Sequence, residues 1–341
     1  MDLKALFYRY LLLLCASALA SSFFLPGYYN IPYPKPLGTE FNPVIKRKPI
    51  NAISEEQPDV VLIGDSVLFF GVDHEKLSGL LGAKTYSIAY PGAGSAIWYL
   101  AVKNVILEAT YTPKYVVVVF RDTKLTLPAL HTTGPYFEAL DDFAGRREPL
   151  VTKLAYINQM SPVEKFAEQY FPVYSARWEL RGRLDSHIRY TAPTALLSCP
   201  AQCTDASLDS TFGKNNMEIA AFNRGVENLY ASEFLNFEKQ VVKSFLPHII
   251  QLAEENNIEL IFVRTKSLIF PEYEAEPLPL RKYIKSLKVY LSRQENVHFI
   301  DLAHDERMKP SFFEDEVHFN KEGRELFTKI LADELSPVVN P

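Results

Sequence analysis

The chain has 341 residues, enough for one large domain carrying an insertion or for two small domains. Hydrophobic residues make up 48% and charged residues 23%, an ordinary globular balance that excludes wholesale disorder. The net charge of -5 offers no basic face, which argues against a nucleic-acid partner.

In residues 1–25, Lys4 and Arg9 precede an apolar run from Leu11 to Ala20 that ends in Ala18-Leu19-Ala20. A positive flank, a short apolar core and small residues at the exit are the marks of a bacterial export signal. The run continues through Phe23, Phe24 and Leu25, so the segment reads either as a cleaved signal peptide or as an uncleaved membrane anchor with Arg9 on the cytoplasmic side. Prolines at 26, 32, 34, 36, 43, 49 and 58, with the basic cluster Lys46-Arg47-Lys48, make residues 26–58 an expected extended tether.

From residue 59 the pattern alternates β-rich runs with amphipathic stretches. Asp59 to Gly64 is a buried strand by its unbroken apolar run, followed by a helix over 67–82. Lys84 to Ala89 is a second strand. It leads through the turn Pro91-Gly92-Ala93-Gly94 into a helix near 95–110. Tyr115-Val-Val-Val-Val-Phe120 is the strongest strand in the chain. Later, helices at 238–256 and 278–294 precede strands at 258–263 and 297–301, and a last helix covers 320–335 before a short tail, 336–341. Five strands joined by helices imply a doubly wound α/β fold with a parallel sheet, spanning 59–335. Residues 128–236 break the rhythm with many aromatics and scattered prolines, and read as a mostly helical insertion after the third strand. Those aromatics serve either as the insertion's own core or as a platform for sugar rings. Cys199 and Cys203 could close a small disulfide in an oxidising compartment, or remain free thiols. A zinc site there lacks two further ligands, so no metal or other cofactor is expected.

Two places carry chemistry. Gly64-Asp65-Ser66 ends the first strand, where ligands of open α/β sheets bind and where helix amides can hold a developing negative charge. Ser66 there is a nucleophile or merely a helix cap. Asp315-Glu316-Val317-His318 lies just before the last helix. A histidine acting as base needs a carboxylate to fix its tautomer, and Asp315 can supply one locally. Asp301-Leu302-Ala303-His304 has the same spacing, but Asp301 is expected to end its strand and bond locally.

Gly64-Asp65-Ser66, a glycine turn after the second strand, and Asp315-x-x-His318-x-Asn320-x-x-Gly323 before the last helix together resemble the SGNH/GDSL hydrolase superfamily. The resemblance covers roughly 59–126 and 238–335. It implies a catalytic set of Ser66, His318 and Asp315, with the amides of Ser66 and Gly92 facing the oxyanion. In layout the chain is also similar to envelope-anchored members that add or remove acyl groups on surface glycans. The expected partners are therefore an acylated glycan or other ester, and the membrane through the N-terminal segment. One block departs from the family. Where a Gly-x-Asn-Asp block is usual, this chain has Phe120-Arg121-Asp122-Thr123. Arg121 either replaces the missing oxyanion donor or pairs with Asp122. Esterase and O-acyltransferase share this machinery, and a non-catalytic envelope protein on a degenerate scaffold is the alternative reading.

Overall fold

The computed structural model describes residues 3–30, 32–38, 41, 47–128, 140, 142–177, 180, 191–204, 206 and 229–340. The chain divides into two compact units, one of residues 40–156 with 226–341 and the other of residues 1–39 with 157–225.

The first unit is built on five parallel strands: β1 (Val60–Gly64), β2 (Thr85–Ala89), β3 (Tyr115–Phe120), β4 (Glu259–Arg264) and β5 (Val297–Asp301). Their spatial order is β2-β1-β3-β4-β5. Every residue of β1 and β3 is buried, which is why both read as unbroken apolar runs, whereas the edge strands β2 and β5 carry half-exposed positions. Side chains of opposite parity serve two cores. Val60, Leu62, Val117, Val119, Ile261 and Val263 pack with Leu77, Phe327 and Leu331 on one side. Val61, Ile63, Val116, Val118 and Phe262 are buried on the other, where helices Ser95–Ala101 and Leu246–Glu255 lie against β1 and β4. The sheet is therefore doubly wound.

Several expected elements differ in detail. The helix expected at 67–82 is two helices, α3 (Ser66–Gly71) and α4 (His74–Leu81), because Asp73 caps the second by accepting from the Lys76 amide at 3.1 Å. Helix α5 (Ser95–Ala101) continues as a π-helix over Val102–Ile106. The stretch 238–256 is interrupted, with a new helix beginning at Leu246 where Pro247 sits in the first turn. The last helix, Lys321–Val339, takes in most of the expected tail.

One boundary is corrected. Residues 47–56 of the expected tether form helix α2 (Arg47–Glu56), which packs on the π-helical turn and buries Ile53 completely. The expected insertion 128–236 is divided between the units, with 157–225 falling in the second and its two ends in the first. Buried Glu148 explains part of this: it accepts from Lys103 Nζ at 2.6 Å and from Asn104 Nδ2 at 2.7 Å, tying its segment to the helix after β2.

In the second unit, helix α1 (Leu3–Tyr29) is long and apolar enough to cross a membrane. The unit also holds helices Pro162–Tyr170, Pro172–Ser175 and Ala192–Leu197, and a disulfide joins Cys199 to Cys203.

Candidate active site

The site gathers beyond the carboxyl ends of β1, β2 and β3. Gly64 pairs with Ala89 on one side and Val119 on the other, so Ser66 and Arg121 follow at matching positions past the ends of adjacent strands. Strand order reverses here, which opens the crevice where ligands bind in such sheets. Asp65, not Ser66, caps α3, with its Oδ1 accepting from the Val67 amide at 2.9 Å. Ser66 is the first helical residue, and its hydroxyl is released from capping. The other Asp65 oxygen pairs with Lys124. Burial pushes the Asp65 carboxyl up, but the Lys124 ammonium, the Val67 amide and the nearby Arg121 charge together hold it below the ordinary aspartate value.

His318 comes from a tight loop before the last helix. Phe313 and Phe319 bridge across its base, and the Glu314 amide donates to the His318 carbonyl at 2.8 Å. Asp315 Oδ1 accepts from the amides of Val317 and His318, each at 2.8 Å, while Oδ2 lies 2.7 Å from His318 Nδ1. The opposite ring nitrogen, Nε2, is 2.8 Å from Ser66 Oγ. The pattern fits one tautomer: Nδ1–H donates to Asp315, and Nε2 accepts from the serine hydroxyl. Burial raises the Asp315 carboxyl, and its hydrogen bonds from His318 and the two amides bring it below the ordinary value. Asn320 caps the last helix by accepting from the Gly323 amide at 2.9 Å, and Nδ2 donates to the Ser311 carbonyl at 2.8 Å. A side chain at 323 would meet the Phe312 carbonyl oxygen at 2.0 Å, so the Asn-x-x-Gly spacing is needed to seat the loop against the helix.

Gly92 occupies the third position of a turn closed by the Ala93 amide on the Tyr90 carbonyl at 2.9 Å. Its φ of 79° with Pro91 before it describes a type II turn, which requires glycine there. Arg121 is buried and does not pair with Asp122. Its Nε and Nη1 have no hydrogen-bond partner among the described residues. Asp122 is instead held by Arg264, which donates from Nε at 3.2 Å and Nη2 at 2.7 Å, and by the Tyr230 hydroxyl at 2.5 Å. Arg264 also pairs with Glu276. His304 joins this network, with Nε2 at 2.9 Å from Glu276 Oε1. Asp301 turns to the Ala303 amide at 3.3 Å, and the second Asp-x-x-His is thereby excluded from the serine.

Sequence reading missed three features. Lys124 as partner of Asp65 is invisible without the fold, since 59 residues separate them. The Arg264 cluster escaped for the same reason, although a charged residue ending an apolar strand is a usable signal. The third is Phe69 and Phe70, both about half exposed. They stand edge to face 4.9 Å apart, and Phe70 packs 5.4 Å from the His318 ring. Among the insertion aromatics, Tyr156 is buried whereas Phe166, Tyr170 and Phe171 are exposed; Tyr136, Phe137, Trp178 and Tyr190 lie outside the described residues. Among the described residues no group of three His, Cys, Asp or Glu side chains is arranged to hold a metal.

A serine after the first strand, a histidine and aspartate before the last helix, and a 2-1-3-4-5 parallel sheet are now all in view. The chain resembles the SGNH/GDSL hydrolases. Neither a family model nor a curated protein matches the sequence. Solved structures similar to it include a Bacteroides fragilis protein described as an acylhydrolase, at 11% identity over 86% of this chain and 96% of that one, with a TM-score of 0.39. A GDSL-like lipase from Bacteroides thetaiotaomicron matches at 11% identity over 83% and 90%, with a TM-score of 0.37. An active-site mutant of a family two carbohydrate esterase from Clostridium thermocellum matches at 11% over 82% and 64%, with a TM-score of 0.32.

Proposed function

We propose that this chain is an SGNH-type serine esterase or O-acyltransferase that works on acyl esters of envelope or extracellular glycans. The observation that carries the reading is the unbroken line from Asp315 through His318 to Ser66, with both ring nitrogens committed at 2.7 and 2.8 Å. Nucleophile, base and orienting carboxylate are within reach of one another without any rearrangement.

In this mechanism Ser66 Oγ attacks the ester carbonyl carbon as His318 Nε2 takes its proton. Asp315 steadies the imidazolium through Nδ1. The carbonyl oxygen, now an oxyanion, is held by the amides of Ser66 and Gly92, with the guanidinium of Arg121 as the third donor in place of the usual asparagine. A buried guanidinium with two unpartnered nitrogens supports that assignment, because such a group is costly to keep unless a ligand completes it. The alcohol then leaves with the proton from Nε2. The resulting acyl ester on Ser66 is attacked by water in hydrolysis or by a glycan hydroxyl in transfer, and His318 again takes the proton.

Helix α1 supports membrane attachment through the N-terminal segment, and the Cys199–Cys203 disulfide favours an oxidising, extracytoplasmic compartment. The test uses the full chain with an acetylated glycan and, separately, with an added unacetylated glycan acceptor. Acetate release identifies the esterase and acetylation of the acceptor identifies the transferase. Ser66→Ala should lower either rate by roughly 10⁴–10⁶. A folded wild type that does neither would leave the non-catalytic binding reading in its place.

A further inference from the structure

The helix Pro162–Tyr170 is built backwards for a surface helix. Val163, Phe166 and Tyr170, at i, i+3 and i+7, share one narrow face. A helix packed on a protein body turns such a stripe inward. Here the stripe is the solvent side: Val163 is 76% exposed, Phe166 56% and Tyr170 50%, and Phe171, just beyond the helix, is 48% exposed. The three rings form a cluster, with Phe166 centred 5.0 Å from Tyr170 and 5.8 Å from Phe171. The polar side faces the protein. Glu168 pairs with Lys35 at 3.3 Å and with Arg177 at 2.8 Å, and the Gln169 carbonyl accepts from the Lys35 amide at 2.9 Å. The helix does not depend on its apolar face for definition, because Ser161 and Glu164 close a capping box at its start and Pro162 occupies the first turn.

What could cover this face is indicated by its neighbour in the same unit. Lys35 belongs to the short segment that follows α1, and the adjoining helix Pro172–Ser175 packs on α1 itself. Tyr33 of that segment is hydrogen bonded to Ser175. The exposed stripe is thus fastened at the C-terminal end of the one apolar helix, among the described residues, with the length to cross a bilayer.

We propose that Pro162–Tyr170 is an interfacial helix, lying in the bilayer surface where α1 leaves it, with Val163, Phe166, Tyr170 and Phe171 sunk among the acyl chains. The inference rests on the reading of α1 as a membrane anchor and adds a second, lateral contact to it. Aromatic and aliphatic side chains on such a face sit roughly 5–10 Å into the headgroup and acyl boundary. Tyr170 carries its hydroxyl to the wet side, as interfacial tyrosines do. A single crossing helix is free to rotate about its axis; a neighbouring face held in the interface fixes the orientation of the unit that holds α1.

The test reconstitutes the full chain, with Cys15→Ser as background, into phosphatidylcholine vesicles containing phosphatidylglycerol. Nitroxide labels are placed singly at Leu12→Cys in α1, at Phe166→Cys and Val163→Cys on the stripe, and at Gln251→Cys on an exposed position of the sheet-bearing unit. Collision with oxygen, which concentrates in lipid, is compared with collision with a water-soluble nickel chelate. The proposal expects labels at 12, 163 and 166 to favour oxygen and the label at 251 to favour nickel, with 163 and 166 shallower than 12. Lipid exposure at 12 with aqueous exposure at 163 and 166 would overturn the interfacial helix while keeping the anchor. Aqueous exposure at all four would overturn the anchor reading and this inference with it.

Discussion

The molecule contains the Asp-x-x-His pattern twice, and its surroundings give the two copies different partners. Asp301 ends an edge strand and His304 follows it, where Arg264 draws the local carboxylates into a buried network. Asp301 lies 3.6 Å from that guanidinium, His304 is spent on Glu276, and His304 Nδ1 is buried without a partner among the described residues. Asp315 and His318 sit on a loop where the carboxylate gives one oxygen to the loop amides and the other to its own imidazole. The second ring nitrogen is then available to a serine 252 positions away. Spacing makes an Asp–His pair possible; the nearby cation decides whether the carboxylate is left to the imidazole or drawn into a buried ion network.

This contrast can be broken at the architectural copy. Arg264→Met removes the cation that compensates Asp122 and Glu276, both almost wholly buried. Leaving buried carboxylates unpaired costs on the order of 3–5 kcal/mol, to be read from urea denaturation midpoints. Asp315→Asn, at a carboxylate about half exposed, should shift the same midpoint far less while still crippling turnover.

A smaller effect is expected at Asp65, beside the proposed nucleophile. Asp65 has a folded-state value below its ordinary one, so the fold gains stability from its ionised form. That contribution is fully present above the unfolded aspartate pKa of about 3.9 and disappears as pH falls through the lower folded value. The stability gap between wild type and Asp65→Asn, measured by denaturation from neutral to acid pH, should stay constant above about pH 5 and close below the ordinary aspartate range. A gap that widened in acid would contradict the assignment of Lys124 as the stabilising partner.

The sheet was legible because its central strands are buried on both faces and so carry continuous apolar runs: Val60 to Gly64 and Tyr115 to Phe120 need no partner to be recognised. Ser66, Asp315 and His318 were legible because each sits at a strand or helix junction with local motif residues. What stayed hidden depends on charges that meet only in the folded chain. Arg121 is the clearest case, since adjacency in sequence suggested Asp122 as its partner while the fold gives Asp122 to Arg264. Helix α2 was masked by Pro49, which suits the first turn of a helix as well as it suits a tether. The inverted helix Pro162–Tyr170 shows the limit most plainly: its periodicity is visible in sequence, but which face meets the protein is not.

The proposed mechanism requires that Ser66 be activated by His318 and by no other histidine. The most direct measurement is the rate at which a fluorophosphonate probe labels Ser66 in the full-length wild type, His318→Asn, His304→Asn and Ser66→Ala. Wild type and folded His304→Asn should label rapidly, and His318→Asn and Ser66→Ala should not label at all. Labelling at the wild-type rate in His318→Asn, or a folded wild type that resists the probe, would contradict that mechanism.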